Sequence, residues 1–223
     1  MLRFLIALLL LPVLCVCAWQ AWPALQPVLH DPQPLGRFGV GAGVYLAAWA
    51  LWLRRRPESM WSAFEHELTH ALFCVAFGRK VHEFHAGTKA DAKGRSGFVS
   101  YDAPGGFRNT IILLAPYFFP TLTVALLVLR AVIAAPLRPG MDLAIGVSFA
   151  YHFFAAFRQL GLHQSDIRQN GIFFSGVFLA LANLIMTLGT LLLLHGGPQA
   201  PAHWLQASGH QIARLVPAIG KKL

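Results

Sequence analysis

Two histidines stand four residues apart inside an apolar segment, with a glutamate directly after the first. The stretch is FEHELTH, residues 64–70, and it contains His66, Glu67 and His70. On an α-helix, positions i and i+4 lie on one face, so both imidazoles can ligate one metal ion. The neighbouring carboxylate can take a proton from water at that ion, which is the H-E-x-x-H arrangement of zinc-dependent hydrolysis. The spacing therefore predicts a Zn²⁺ site with His66 and His70 as ligands and Glu67 as the catalytic base.

These ionisable groups are costly where they stand, because the flanking residues have the composition of a membrane interior. A charged side chain at the centre of a bilayer costs about 2.5–3.5 kcal/mol, and ionisable residues within a membrane usually carry function. A polar helix face that seals against another helix is the alternative explanation. Glu65, the other glutamate of the stretch, has no role that the sequence assigns.

A catalytic zinc ion has three protein ligands and one open position, so the site needs one more residue. Asp166, in the polar segment LHQSDIRQNG, has the densest polar surroundings, and we predict it as the third ligand. Asp142, in GMDLAIG, is one alternative. A histidine, His82 or His85, or no third protein ligand at all, is the other.

The composition indicates a multi-pass membrane protein. Of 223 residues, 56% are hydrophobic and only 12% are charged, against about 25% charged in soluble domains. The net charge is +9, and basic residues cluster at the ends of apolar segments, as in LWLRRRP. This placement is typical of cytoplasmic loops, and no pattern for contacting nucleic-acid bases accompanies it. All three cysteines lie in apolar segments, which argues against a disulfide framework.

Six apolar segments predict membrane-spanning helices. They cover residues 2–22, 38–53, 59–77, 110–135, 141–160 and 171–195. The first is also compatible with a signal peptide, so residues 1–24 are a possible signal anchor, and a proline-spaced loop over 23–36 follows it. We therefore expect an all-α polytopic membrane protein with about six transmembrane helices, folded as one membrane-embedded domain over residues 1–223.

One polar insert, residues 79–108, interrupts the apolar pattern. Its segments VHEFHAG and SGFVSYD flank a region rich in Gly, Lys and Asp, which predicts a β-hairpin directly after the motif helix. The edge of such a hairpin can pair with an extended substrate strand, and a plain surface loop is the alternative. The C-terminal tail, residues 196–223, is predicted to contain an interfacial helix over 203–216.

The segment WSAFEHELTHALFCVAFGRKV resembles the motif helix of the site-2 protease family of intramembrane zinc metallopeptidases. LLAPYFFPTL occupies the place of that family's proline-containing helix, without its asparagine. The resemblance implies hydrolysis of peptide bonds in or next to transmembrane segments, with His66 and His70 as zinc ligands, Glu67 as the base and a distant aspartate as third ligand. The family holds its zinc near the cytoplasmic face, which favours Asp142, whereas the local sequence favours Asp166.

Two other functions are open at this point. A catalytically inactive family member would act as a membrane-protein binding scaffold, but the intact Glu67 counts against it because a scaffold has no use for a base. A transporter would need polar residues in several spans, and the segment 171–195 has almost none. The expected partners are a membrane protein or peptide substrate and the lipid bilayer, and the expected location is a bacterial inner membrane.

Overall fold

The computed structural model describes residues 1–30, 33–56, 59–87, 97–103, 105–161 and 164–220, and these residues are mostly helical. The helices are α1 (Leu2–His30), α2 (Gln33–Leu51), α3 (Met60–Ala76), α4 (Phe107–Leu114), α5 (Thr121–Val132), α6 (Arg138–Gln159), α7 (Ser165–Asn170), α8 (Ile172–Gly196) and α9 (Gln199–Gly220). Strands β1 (Val81–Ala86) and β2 (Gly97–Tyr101) follow α3. The chain divides into two compact units: Gly39–Asn170 forms one, and Met1–Phe38 with the chain from Gly171 onward forms the other.

Three described helical segments are long and apolar enough to cross a membrane: α1, α8 and Ala135–Gln159, which contains α6. A bent pair, α4 with α5, adds a fourth if it counts as one span. The expected number of six spans is therefore not confirmed. The helices α2 and α3 lie where spans were predicted, but α3 has only 17 residues, and α2 contains an arginine and several glycines.

The predicted fourth span, residues 110–135, is not one straight helix. A 3-10 turn at Ala115–Tyr117 follows α4, and the two helices of the pair are bent by 83°. Pro116 and Pro120 explain the break, because proline lacks an amide hydrogen and clashes with the preceding turn of a helix. The Glu65 carboxylate accepts a hydrogen bond from the Leu122 amide at 3.3 Å, so α3 provides a partner for an amide that the start of α5 leaves free.

The unit that contains α1, α8 and α9 is built on apolar packing. Contrary to the predicted loop over 23–36, α1 continues through Pro23 and Pro27 to His30, and α9 extends beyond the predicted interfacial helix at both ends. The helix α1 packs against both α8 and α9. The core comprises Cys17, Val28, Leu181, Leu188, Leu192 and Trp204.

The motif helix α3 begins and ends at residues suited to those positions. The Ser59 hydroxyl accepts a hydrogen bond from the Ser62 amide at 3.1 Å, which caps the helix start. After the helix, Gly78 adopts a positive φ of 68°, a conformation that glycine takes at little cost. The helix packs against the hairpin and against the corner between α4 and α5, so its polar face is enclosed on both sides.

The predicted β-hairpin is confirmed. Strands β1 and β2 pair antiparallel, with Phe84 opposite Val99 and Ala86 opposite Gly97, and a bulge follows Val81. The region between the strands, residues 88–96, lies outside the described residues. Because β2 packs against α3, the hairpin lies beside the H-E-x-x-H motif.

Candidate metal centre

The potential ligand atoms of His66, His70 and Asp166 all lie within 4.8 Å of one another. The two histidines stand on successive turns of α3, with their Nε2 atoms 3.2 Å apart. Asp166 lies on the short helix α7, and its Oδ2 is 3.8 Å from the Nε2 of His70. In a tetrahedral zinc site with Zn–N bonds of about 2.0–2.1 Å, neighbouring nitrogens are roughly 3.3 Å apart. The two imidazoles therefore have the spacing that one zinc ion requires.

Hydrogen bonds at the outer nitrogens orient both imidazoles. The Nδ1 of His70 lies 2.8 Å from the carbonyl oxygen of Ile112, which can only accept, so Nδ1 carries the hydrogen and Nε2 presents a lone pair. The Nδ1 of His66 lies 2.8 Å from the Oε1 of Gln159, whose amide nitrogen donates to the Ser62 hydroxyl at 3.0 Å. Two lone pairs facing each other are repulsive unless a cation lies between them, and metal-bound histidines are oriented in this way.

Asp166 is held in place by a partly buried polar network. The Tyr117 hydroxyl donates to its Oδ2 at 3.2 Å. The Asn170 side chain donates to the Asp166 carbonyl oxygen at 2.8 Å and accepts from the Thr110 hydroxyl at 2.8 Å, which ties α7 to α4. Burial raises the pKa of the Asp166 carboxyl, and the neighbouring His66 and the Tyr117 hydrogen bond oppose that rise. A nearby cation stabilises the ionised form of such a buried carboxylate, so the donor set fits zinc.

Glu67 shares a cavity of about 350 Å³ with these three side chains. Its side chain is buried, and β2 passes directly beside it: a Cβ added at Gly97 would lie 2.6 Å from its Oε1. Phe98, Val99 and Tyr101 of the same strand also line the cavity. The Glu67 carboxylate, the three candidate ligands and the backbone of β2 therefore face one common space.

The other candidate ligands make different contacts. Asp142 is 1% exposed and accepts a hydrogen bond from the Nε of Arg130 at 2.5 Å. His82 lies 2.8 Å from Asp102, and this hydrogen bond holds the pKa of Asp102 below its ordinary value. The ring of His85 stacks on Phe98. Within the described part of the chain, Asp166 is the acidic residue that joins the two motif histidines in a potential metal-binding group.

Sequence reasoning missed the residues that orient these ligands. They are Gln159 and the Ile112 carbonyl behind the histidines, and Tyr117, Asn170 and Thr110 around the aspartate. A polar side chain inside or at the end of an apolar segment is the only local signal for most of them. That signal does not say which residue each one contacts. Apart from the hydrogen bond between Asn170 and Asp166, which lie four residues apart on α7, these contacts join residues that are distant in the sequence.

A motif helix with two apposed histidines, a carboxylate from a distant helix, and several long apolar helices together define a class: integral membrane proteins with a metallopeptidase-type site. The chain belongs to the Peptidase M50B-like family, whose model matches residues 41–196. This membership agrees with the resemblance to site-2 proteases and supports a membrane metallopeptidase-type function. No curated protein and no solved structure gives a significant match.

Proposed function

We propose that this protein is a zinc-dependent endopeptidase that hydrolyses peptide bonds in or next to transmembrane segments of membrane protein substrates. The observation that carries the proposal is the 3.2 Å approach of the Nε2 atoms of His66 and His70, in a cavity that also contains Asp166 and Glu67. Membership of the Peptidase M50B-like family supports the peptidase chemistry. The long apolar helices support a substrate that lies in the membrane.

In this proposal His66, His70 and Asp166 hold the zinc ion. When bound, zinc supplies a Lewis acid that polarises the scissile carbonyl and makes water a stronger acid. Glu67 is the general base: it accepts the proton of the attacking water and passes it to the leaving amine. Gln159 and the Ile112 carbonyl keep the two imidazoles in the tautomer that directs Nε2 toward the shared space.

The substrate has to be extended when it is cut, because an α-helix holds its carbonyl groups in internal hydrogen bonds. The strand β2 lines the cavity, and an extended peptide can add to the edge of a sheet through main-chain hydrogen bonds. At Gly97 the strand has no side chain beside Glu67, which leaves room for a scissile peptide at the base. The hairpin is therefore proposed to position the unwound segment.

The zinc content of purified full-length protein in detergent tests the metal-binding part. We expect about one zinc ion per wild-type chain, and loss of that zinc in His66→Ala and in Asp166→Ala. Asp142→Asn is the matched control, because it alters a buried aspartate that pairs with Arg130, and it should keep the metal. A wild-type protein that stays metal-free under zinc-replete conditions would contradict the proposal, as would zinc loss in Asp142→Asn alone.

Glu67→Gln separates catalysis from metal binding. We expect this variant to keep its zinc and to lose cleavage of transmembrane peptides by roughly 10²–10⁴-fold, the contribution typical of a general base. Glu83→Gln, on the exposed strand β1, is the control and should cleave like wild type. If the zinc-loaded wild type cleaved no transmembrane peptide, a catalytically inactive binding scaffold would replace the protease as the best explanation.

A further inference from the structure

The unit Gly39–Asn170 contains a second cavity, of about 430 Å³. This volume lies in the range of small-molecule sites, about 300–1,000 Å³. Its wall combines the C-terminal half of α2, the start of α3 and the end of α6, and the described residues that line it include no carboxylate. The polar lining residues are Arg56, Ser59, Ser62, Arg158, Gln159 and Gln164. The described polar lining of the cavity therefore combines two positive charges with neutral hydrogen-bonding groups.

Two arginines concentrate the positive charge. An Nη2 hydrogen bond of 3.2 Å from Arg158 to the carbonyl oxygen of Arg56 joins the two residues, and the Arg56 guanidinium lies 4.7 Å from the centre of the Trp52 ring. In the described part of the chain, the aspartates that form ion pairs do so with His70, His82 and Arg130, and not with Arg56 or Arg158. The two guanidinium groups repel each other, because both are positively charged, and a bound anion would reduce this repulsion. Planar guanidinium groups bind phosphate oxygens through pairs of parallel N–H donors. An anion with several oxygens is the complementary ligand.

We propose that this cavity binds the phosphate group of an anionic phospholipid headgroup. Aromatic residues also line it, namely Tyr45, Trp49 and Tyr151, and amphipathic rings of this kind are typical of the headgroup level of a membrane. Beside the arginines, Leu51 and Trp52 are 78% and 58% exposed, which offers apolar surface to an acyl chain. These two features favour a lipid over free phosphate as the source of the phosphate group.

The cavity is connected to the candidate zinc ligands. Ser62 and Gln159 line it, and Gln159 is hydrogen-bonded both to Ser62 and to the Nδ1 of His66. A ligand that moves or fixes Gln159 therefore changes the orientation of His66. This coupling rests on the proposed zinc site, and by linkage the lipid and the zinc ion must change each other's affinity by the same factor.

The binding test uses full-length protein in a non-ionic detergent and three soluble probes: short-chain phosphatidylglycerol, short-chain phosphatidylcholine and inorganic phosphate. We expect phosphatidylglycerol to bind most tightly. Arg56→Gln and Arg158→Gln should each weaken this binding by about tenfold, because each removes charged hydrogen bonds. Arg54→Gln is the matched control, since it removes a charge from the same basic stretch without altering the lining. Arg158→Lys should weaken binding less than Arg158→Gln, because lysine keeps the positive charge and loses only the parallel N–H donors of the guanidinium group.

Each alternative result has a definite meaning. Equal weakening in Arg54→Gln would overturn the site in favour of non-specific attraction to a basic surface. Inorganic phosphate bound as tightly as the lipid, with the same dependence on Arg56 and Arg158, would overturn the lipid as the source. If phosphatidylglycerol neither bound to the wild-type protein nor changed its thermal stability, the proposal would be overturned altogether.

The coupling has its own readout, the zinc affinity measured by competition with a chromophoric chelator. Phosphatidylglycerol should change the zinc affinity of wild type, and it should have no effect in Gln159→Leu. An unchanged zinc affinity in wild type would overturn the coupling while the phosphate site stands. Binding of the lipid to metal-free protein does not depend on the zinc site, so failure of the proposed protease function is distinguishable from failure of the lipid site.

Discussion

The two compact units bury different kinds of side chain. In the unit of Met1–Phe38 and the chain from Gly171 onward, the described buried polar side chains are hydroxyls: Ser175, Thr190 and Ser208. In the unit Gly39–Asn170, the described buried side chains include carboxylates and imidazoles. These are Glu65, Glu67, His70, Asp142 and His152. The chemistry of the protein is therefore concentrated in one unit.

This difference follows from what each unit must stabilise. Apolar helices gain little from contact with one another in lipid, so close van der Waals packing is enough for the first unit. A buried polar group needs a hydrogen-bond partner, and the second unit provides several such pairs. Thr69 bonds Thr121 at 2.6 Å, and Thr123 bonds Ser148 at 2.9 Å. These hydrogen bonds tie neighbouring elements of the second unit together around its buried ionisable groups.

Among variants that leave the candidate ligands and Glu67 in place, the largest effect is expected from Gly97→Ala in β2. The added Cβ would lie 2.6 Å from the Oε1 of Glu67, and the end of a flexible side chain moves more readily than backbone. The carboxylate should shift, and a displacement of about 1 Å at a catalytic group can cost roughly 10²-fold in rate. We expect a loss of that size in cleavage, with zinc content and thermal stability close to wild type.

Gly105→Ala is the matched control, because nothing lies within 4 Å of a Cβ added there. It should leave cleavage unchanged. Equal activity of both variants would show that the close approach of β2 to Glu67 has no catalytic consequence.

The sequence predicts the motif helix, the spacing that brings its two histidines together and the hairpin, because each depends on a short-range pattern. The prolines show where such patterns fail. In α1, Pro23 and Pro27 lie inside a continuous helix, whereas Pro116 and Pro120 stand at the break before α5. Proline thus lies within a continuous helix in one place and at a helix break in the other. Sequence alone does not distinguish the two cases, because neighbouring helices can satisfy or replace the hydrogen bonds that proline removes.

The candidate for a third ligand illustrates a second limit. Asp166 and Asp142 are both plausible from the sequence, and the choice between them depends on tertiary contacts. Asn170 and Thr110 hold α7 against α4, whereas Arg130 takes Asp142 into an ion pair. Neither contact can be recognised from the neighbouring residues in the sequence. The sequence therefore limits the candidates for a third ligand to a few residues, and the fold brings one of them, Asp166, close to the histidines.

An intermediate effect is expected from Arg130→Met in the polar unit. The change removes the guanidinium that pairs with Asp142, whose side chain is 1% exposed. Loss of one partner of a fully buried ion pair costs about 3–5 kcal/mol. Because Arg130 is itself 21% exposed, we expect the free energy of unfolding to fall by about 2 kcal/mol, measured by SDS titration in mixed micelles.

Two further variants sharpen that result. Arg138→Met, at an exposed position of the same basic region, should have little effect. The double variant Arg130→Met with Asp142→Leu should regain most of the lost stability, because it leaves no buried charge. If the double variant were less stable than Arg130→Met, the aspartate would have a stabilising role beyond this pair.

The smallest effect is expected in the apolar unit, from Leu188→Ala. Leu188 is 3% exposed in the core of α1, α8 and α9. Leu→Ala changes in water-soluble cores cost about 2–5 kcal/mol. Lipid replaces part of the lost contact, so we expect the free energy of unfolding to fall by only about 1–2 kcal/mol, with the zinc content unchanged. Leu205→Ala, at a position that is 46% exposed on α9, is the control and should be near neutral. If Leu188→Ala folded with wild-type yield but lost zinc, the separation of roles between the two units would be contradicted. Such a result would mean that apolar packing in one unit determines metal binding in the other.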